Sequence, residues 1–234
     1  MIAGLQKMTL LDYPGKVACT VFLQGCNFVC PFCHNSGLLP RNGEEAMSLN
    51  AFLAFLDKRK GLLDAVCVSG GEPTLSPELE ELLTGIKARG FLVKLDTNGS
   101  RPALLRRLVE AGLVDYVAMD IKNGPDDYPA TCGLPHMELH PIEESIRYLL
   151  SGAVSYEFRT TVVEQLHCGR SIEEMGRWLS RLGEGRQPAA LYLQSFVDRE
   201  SVAFEGLSAA DPDKMNRYAE ILKPYLGNVV IRNA

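Results

Sequence analysis

Three cysteines stand in one loop, Gly25-Cys26-Asn27-Phe28-Val29-Cys30-Pro31-Phe32-Cys33-His34-Asn35, at the spacing C-x3-C-x2-C. Thiolates are soft ligands, and three of them within eight residues can converge on one soft metal centre. Parts of the same run suit other chemistries. Cys30-Pro31-Phe32-Cys33-His34 has the pattern of a c-type haem attachment site, which leaves Cys26 idle. A redox-active dithiol employs Cys30 and Cys33 alone. Structural zinc needs a fourth protein ligand, and His34 stands too close to Cys33 to be a comfortable one. A [4Fe–4S] cluster usually takes four thiolates. With three, one iron is left as an open coordination position, the arrangement of a catalytic rather than a structural centre.

The remaining four cysteines, Cys19, Cys67, Cys132 and Cys168, show no ligand spacing and read as apolar packing residues. A total of 7, with no basic-then-apolar leader at the N-terminus, argues against a secreted disulfide framework. Reduced thiols in the cytoplasm are the expectation. Net charge is −5, from 24 basic and 29 acidic residues, so the chain lacks the basic surface that nucleic-acid binding by bulk electrostatics requires. No apolar run approaches the ~20 residues of a membrane span.

Other polar words stand at the ends of β-rich runs. Gly70-Gly71-Glu72-Pro73 combines glycines that allow close approach with a carboxylate that can fix an ammonium. Asp96-Thr97-Asn98-Gly99 and Met119-Asp120-Ile121-Lys122-Asn123 end the next two runs. On adjacent strands ~4.8 Å apart, Asp96 and Asp120 would repel unless a cation intervened, and Lys122, on the same face as Asp120, can be that cation. Arg159 can clamp a carboxylate or a ribose, or form a structural ion pair. His167-Cys168-Gly169 reads as a loop, and Trp178 as a core residue.

These words need a scaffold that gathers strand ends. The β-rich runs are Val17–Leu23, Ala65–Ser69, Phe91–Asp96, Asp115–Ile121, Tyr156–Val163 and Leu191–Phe196, with a seventh, Val229–Arg232, closing the chain. Helical patterns alternate with them. Leu79, Leu82, Leu83 and Ile86 recur at helical spacing, with Ser76 placed to cap and Gly90 to end that helix. Pro141 opens and Gly152 closes another, and Ser171 with Glu174 makes a capping box before Met175 and Trp178. Alternation of apolar strands and helices implies an α/β fold with parallel strands buried on both faces. Hydrophobic residues make up 46% and no linker or composition break divides the chain, so a single domain over residues 1–234 is expected. Six strand–helix units leave open an incomplete barrel or a doubly wound sheet, and in both the site lies at the C-terminal strand ends.

The cysteine loop, including Phe32 before its last cysteine, resembles the signature of the radical S-adenosylmethionine (SAM) superfamily. Asp12-Tyr13-Pro14-Gly15, Phe22-Leu23-Gln24-Gly25-Cys26 and Cys33-His34-Asn35 resemble the glycyl-radical-enzyme activating enzymes. The opening Gly4-Leu5-Gln6-Lys7 through Lys16 is most similar to activating proteins of anaerobic ribonucleoside-triphosphate reductase.

The resemblance implies an incomplete (β/α)6 TIM-like barrel and one [4Fe–4S] cluster on Cys26, Cys30 and Cys33. It implies SAM held by Phe32, His34, Gly70, Gly71, Glu72, Asp96, Asn98, Asp120, Lys122 and Arg159, with a monovalent cation near Asp96 and Asp120 in some members. It further implies reductive cleavage of SAM by an electron from flavodoxin or ferredoxin, and a glycyl radical installed on a partner whose glycine loop Asp12 would face. Activation of pyruvate formate-lyase, a small-molecule reaction like that of 7-carboxy-7-deazaguanine synthase, and a non-catalytic electron carrier are the rival readings. On the sixth strand, Gln194-Ser195-Phe196 departs from the Pro-Tyr-His-like word that contacts the nucleoside in several activators.

Overall fold

Runs of β-branched and aliphatic residues become strands, and those in the middle of the sheet are buried along most of their length, as strands covered on both faces must be. In the computed structural model, which describes residues 1–39, 45–188 and 190–232, eight strands lie in one sheet in chain order. They are β1 (Ile2–Thr9), β2 (Ala18–Leu23), β3 (Ala65–Gly70), β4 (Leu92–Thr97), β5 (Tyr116–Asp120), β6 (Ser155–Val162), β7 (Leu191–Ser195) and β8 (Val229–Arg232). β2 to β4 pair in parallel, as do β6 to β8. An order that never reverses is that of a barrel-type sheet, whereas a doubly wound sheet must reverse at a switch point. The seven predicted strands are all present.

β1 is the strand that the sequence pattern does not mark. Gln6, Lys7 and Met8 in its middle are exposed, and burial is confined to its two ends, so no alternation appears. Backbone pairing holds it antiparallel to β2, with Ile2 opposite Leu23 and Thr9 opposite Ala18.

The chain forms two compact units. One comprises Met1–Asn27, Gly37–Thr97 and Ala103–Ala118. Its helices are α1 (Leu49–Asp57), α2 (Leu79–Lys87) and, apart from its first residue, α3 (Pro102–Glu110). Ser48 caps α1 by accepting the Ala51 N–H at 3.3 Å. In α2 the acidic Glu80 and Glu81 occupy the first turn and Lys87 the last, complementing the helix dipole. Ser76 does not cap α2: it ends a 3-10 turn, Pro73–Leu75, and Glu78 stands at the cap position. Tyr13 packs against Ala18, Ala65, Leu92 and Tyr116, which stand at or beside the starts of β2 to β5. The Asp12-Tyr13-Pro14-Gly15 word therefore supplies an aromatic plug for the N-terminal ends of these strands, and burial pushes the Tyr13 hydroxyl up to about 12.

The other unit comprises Phe28–Ser36, Asn98–Pro102 and Met119–Ala234. It carries α4 (Tyr128–Thr131), α5 (His140–Leu150), α6 (Gly169–Gly183) and α7 (Pro212–Leu222). Tyr128 is fully buried and meets Trp178 edge-on, ring centroids 5.8 Å apart. Trp178 is a core residue, as expected, with its indole N–H on Glu143 at 2.8 Å. The capping box of α6 sits one turn before the predicted one. Cys168, exposed and so not the packing residue expected, is the cap and Ser171 its reciprocal partner, because Ser171 turns back to accept the Cys168 N–H at 3.2 Å. Asp211 caps α7 by accepting the Lys214 N–H at 2.7 Å.

Two glycines bring β3 hard against the end of β2. Gly70 has φ +120°, and a Cβ there would lie 2.3 Å from the Leu23 carbonyl oxygen; a Cβ on Gly71 would lie 2.3 Å from that of Gly25. Expected outcomes follow from the contrast with Gly61, also at positive φ but with nothing within 4 Å. Gly70→Ala should cost about 3 kcal/mol or more, combining strain with a backbone clash, and Gly61→Ala only about 1 kcal/mol. Urea unfolding of the two variants measures the difference.

Candidate functional site

In the first unit the chain leaves β2 at Leu23 and is caught at once. The Gly25 N–H donates to the Leu38 carbonyl at 2.7 Å, the Cys26 N–H to that of Leu39 at 3.4 Å, and the Gly25 carbonyl accepts the Glu72 N–H at 2.7 Å. Gly70 and Gly71 thus make a backbone contact within the fold. Glu72 is 1% exposed, and its Oε1 accepts the Thr74 N–H at 3.1 Å, the Thr74 hydroxyl at 2.5 Å and the Thr97 hydroxyl at 2.8 Å. The carboxylate is oriented before any ammonium reaches it.

Asp96 accepts the Ser69 hydroxyl at 3.0 Å and pairs with Lys94. Lys94 is 1% exposed, and its Nζ also reaches Cys67 Sγ at 3.8 Å, on the strand position directly opposite. Sequence reasoning missed Lys94. The same two-residue spacing that links Asp120 to Lys122 was there to find it, but a lysine inside a strand carries no mark of burial. Asp12 lies where β2 begins, at the opposite end of the strand from the cysteine loop, and accepts the Thr20 hydroxyl at 2.5 Å. Within this unit Asp12 and Cys26 therefore stand beyond opposite ends of β2, because β1 runs antiparallel to it.

In the second unit, the Cys33 N–H donates to the Cys30 carbonyl at 3.1 Å, closing a turn that keeps the two cysteines together. A hydrogen bond from Cys132 pulls the Cys30 thiol down to about 7, against burial and with help from the Lys122 charge. Burial pushes the Cys33 thiol up. Phe32 is buried, with Lys122 Nζ 5.8 Å from its ring centre. His34 donates from Nε2 to the Val197 carbonyl at 2.6 Å and stacks on Phe196, centroids 5.5 Å apart and planes within 5°. The departing word Gln194-Ser195-Phe196 is thus the shelf on which the end of the cysteine loop rests.

Asp120 accepts Lys122 Nζ at one oxygen and Arg159 Nε at the other, each at 3.0 Å. Burial opposes the charge on Lys122, yet the Asp120 carboxylate holds its ammonium well above the ordinary lysine value. Asp96 and Asp120 each carry a cation from within their own unit. Asn98 accepts the Ser100 N–H at 3.0 Å, and the Gly99 carbonyl takes the Ser145 hydroxyl at 2.7 Å. His167 is buried and donates from Nε2 to the Lys122 carbonyl at 2.9 Å, so it positions the backbone beneath Lys122.

Among the described residues no three His, Cys, Asp or Glu side chains are gathered closely enough to hold a single metal ion. A [4Fe–4S] cluster takes each thiolate on a different iron, so its ligands need not meet at a point. The chemistry of the donors suits such a group: reduced cysteines, one with its thiol pulled toward neutrality.

The family model of the radical SAM superfamily matches residues 20–176, a span that contains the whole cysteine loop. The chain belongs to the radical SAM superfamily. Its cofactors are accordingly a [4Fe–4S] cluster and SAM, and it is a radical SAM enzyme. A Methanocaldococcus jannaschii protein assigned by name to glycyl-radical enzyme activation is 30% identical over 99% of this chain and 95% of its own. The pyruvate formate-lyase-activating enzyme of Clostridium pasteurianum is 32% identical over 54% of each chain. A radical SAM methyltransferase from Sphaerobacter thermophilus superposes with a TM-score of 0.73, at 16% identity over 97% of this chain and 68% of its own. At that identity the likeness speaks for the fold alone. No described helix is long and apolar enough to cross a membrane.

Two outcomes are expected for this radical SAM chain. Lys94→Met should destabilise it by about 3 kcal/mol, by leaving Asp96 charged without its cation, and the double change with Asp96→Asn should recover part of the loss. Urea titration of the two variants checks this. Burial lowers the His167 pKa below its ordinary 6.5. The unfolded chain then binds the extra proton, so stability present above pH 6.5 is lost as pH falls below it. Thermal melts between pH 7 and 5 should show a shallower loss for His167→Gln.

Proposed function

We propose that this chain is a glycyl-radical-enzyme activating enzyme whose partner is anaerobic ribonucleoside-triphosphate reductase. The observation that carries the reading is the end-to-end likeness to the Methanocaldococcus jannaschii protein, whose name is that of a glycyl-radical enzyme activator. The similarity of Gly4 through Lys16 to activators of the reductase supports the choice of partner. The chain's seven free cysteines suit a reducing cytoplasm, with flavodoxin or ferredoxin as the one-electron donor.

In this reading Cys26, Cys30 and Cys33 hold the cluster. When bound, the cluster and SAM supply a one-electron cleavage that yields methionine and a 5′-deoxyadenosyl radical able to take hydrogen from a glycine Cα. The protein binds, orients and excludes water. Cys30, with its thiol near neutrality, is available as the thiolate that iron requires. Glu72 holds the SAM ammonium, fixed in place by Thr74 and Thr97. Lys122 and Arg159, gathered by Asp120, offer cationic donors to the SAM carboxylate and ribose. Asp96, Asn98, Gly70 and Gly71 are further SAM contacts in the same reading, and Phe32 and His34 stiffen the loop that carries the ligands.

A second reading, activation of pyruvate formate-lyase, is favoured by the 32% identity to the Clostridium pasteurianum enzyme over half of each chain. Electron paramagnetic resonance separates the two. After anaerobic reconstitution, reduction and addition of SAM, the glycyl doublet should appear on the reductase. A doublet on pyruvate formate-lyase alone would establish the second reading. Turnover of a free small molecule, with no doublet on any glycyl radical enzyme, would defeat both. Wild-type protein should hold about 4 iron per chain, and Cys30→Ala should lose most of it.

A further inference from the structure

Cys132 has no place in the C-x3-C-x2-C motif, yet the fold delivers it to Cys30. Its carrier is α4, a single turn pinned from every side. The Tyr128 hydroxyl donates to the Asp120 carbonyl at 3.4 Å, and the Thr131 hydroxyl donates to the Asp127 carbonyl while accepting Asn123 Nδ2, both at 2.8 Å. Cys132 ends the turn through its N–H on the Tyr128 carbonyl at 3.0 Å, and its own carbonyl accepts the Val29 N–H at 2.9 Å. The next residue, Gly133, has φ +71°, and a Cβ there would stand 2.0 Å from the Val29 carbonyl oxygen. Only glycine tolerates that approach, so the end of α4 and the residue before Cys30 lie backbone against backbone. Cys132 is fully buried, which denies its thiol a partner in water.

Resting on the reading of Cys30 as a cluster ligand, we propose that Cys132 donates its S–H to the Cys30 sulfur and so raises the reduction potential of the cluster. A thiol is a weak donor toward neutral acceptors, but the bond strengthens when the acceptor is an anionic sulfur. Reduction adds one electron and no proton, so negative charge grows on the iron-bound sulfurs. A donor fixed at one of them therefore stabilises the reduced form more than the oxidised form. Lys122 acts on both sulfurs as a fixed positive charge, and Asp120 opposes it at Cys30. Cys132 is a positioning residue in this account and never binds iron.

The full chain, reconstituted anaerobically, provides the test. Iron and sulfide are counted, and the reduced cluster is titrated by electron paramagnetic resonance against redox-buffered potentials. Cys132→Ala should keep the wild-type iron count and lower the ratio of reduced to oxidised cluster about tenfold at a fixed potential, about 59 mV for a one-electron couple. Cys132→Ser, which restores a hydroxyl donor in nearly the same volume, should regain most of that shift. Equal midpoints in wild type and both variants would overturn the proposal, as would loss of iron from either, since that would make Cys132 a ligand. A full iron count in Cys30→Ala would instead strike down the ligand reading, a result independent of the Cys132 titration.

Discussion

Close approach of backbone to backbone, which only glycine permits, is the constraint on which the cysteine loop depends. At its start, Gly70 and Gly71 press β3 and its exit against Leu23 and Gly25, and the Glu72 N–H closes the contact on the Gly25 carbonyl. At its middle, Gly133 presses against Val29 while the Val29 N–H reaches the Cys132 carbonyl. A loop of three potential anions is costly to order, and side-chain packing alone would leave it free to slide. Peptide groups locked at van der Waals distance do not slide. The loop is therefore held by elements with their own reasons to be rigid, and its cysteines inherit that rigidity.

The second organising feature is the pairing of buried charge at short range. Lys94 answers Asp96 with support from Ser69, and Lys122 and Arg159 together answer Asp120. An isolated charge at such burial would shift or destabilise the fold, whereas a hydrogen-bonded pair can persist. The consequence for chemistry is that both carboxylates are already oriented, and the Asp120 group carries more cation than anion. His167 extends the network by gripping the Lys122 carbonyl from below, which explains a buried histidine with no direct part in the site.

Motif words proved to have divided duties. Asp12-Tyr13-Pro14-Gly15, which carries much of the likeness to activating enzymes, is an aromatic plug beneath the strand starts. Its presence reports shared folding more directly than shared substrate. Gly-Gly-Glu-Pro is both packing device and oriented carboxylate. His34 anchors the loop to Phe196 and Val197, so the altered word on β7 still meets the cysteine loop through different side chains.

The strands, the parallel α/β class, the cysteine spacing and the polar words at strand ends were legible in the chain itself, because each depends on local periodicity or on residues a few positions apart. β1 was not legible, since backbone pairing holds it and its exposed centre shows no alternation. Lys94 and Cys132 were hidden for a different reason. Their importance comes from what lies across the sheet or across a turn, and burial of a polar or thiol side chain is a property of the tertiary environment. The same holds for Asp12, whose place at the opposite end of β2 from Cys26 follows from the antiparallel direction of β1. Sequence by itself determined which chemistry the chain can perform; only the tertiary structure decided which neighbours tune it, because charge, hydrogen bonding and solvent exclusion act through space rather than along the chain.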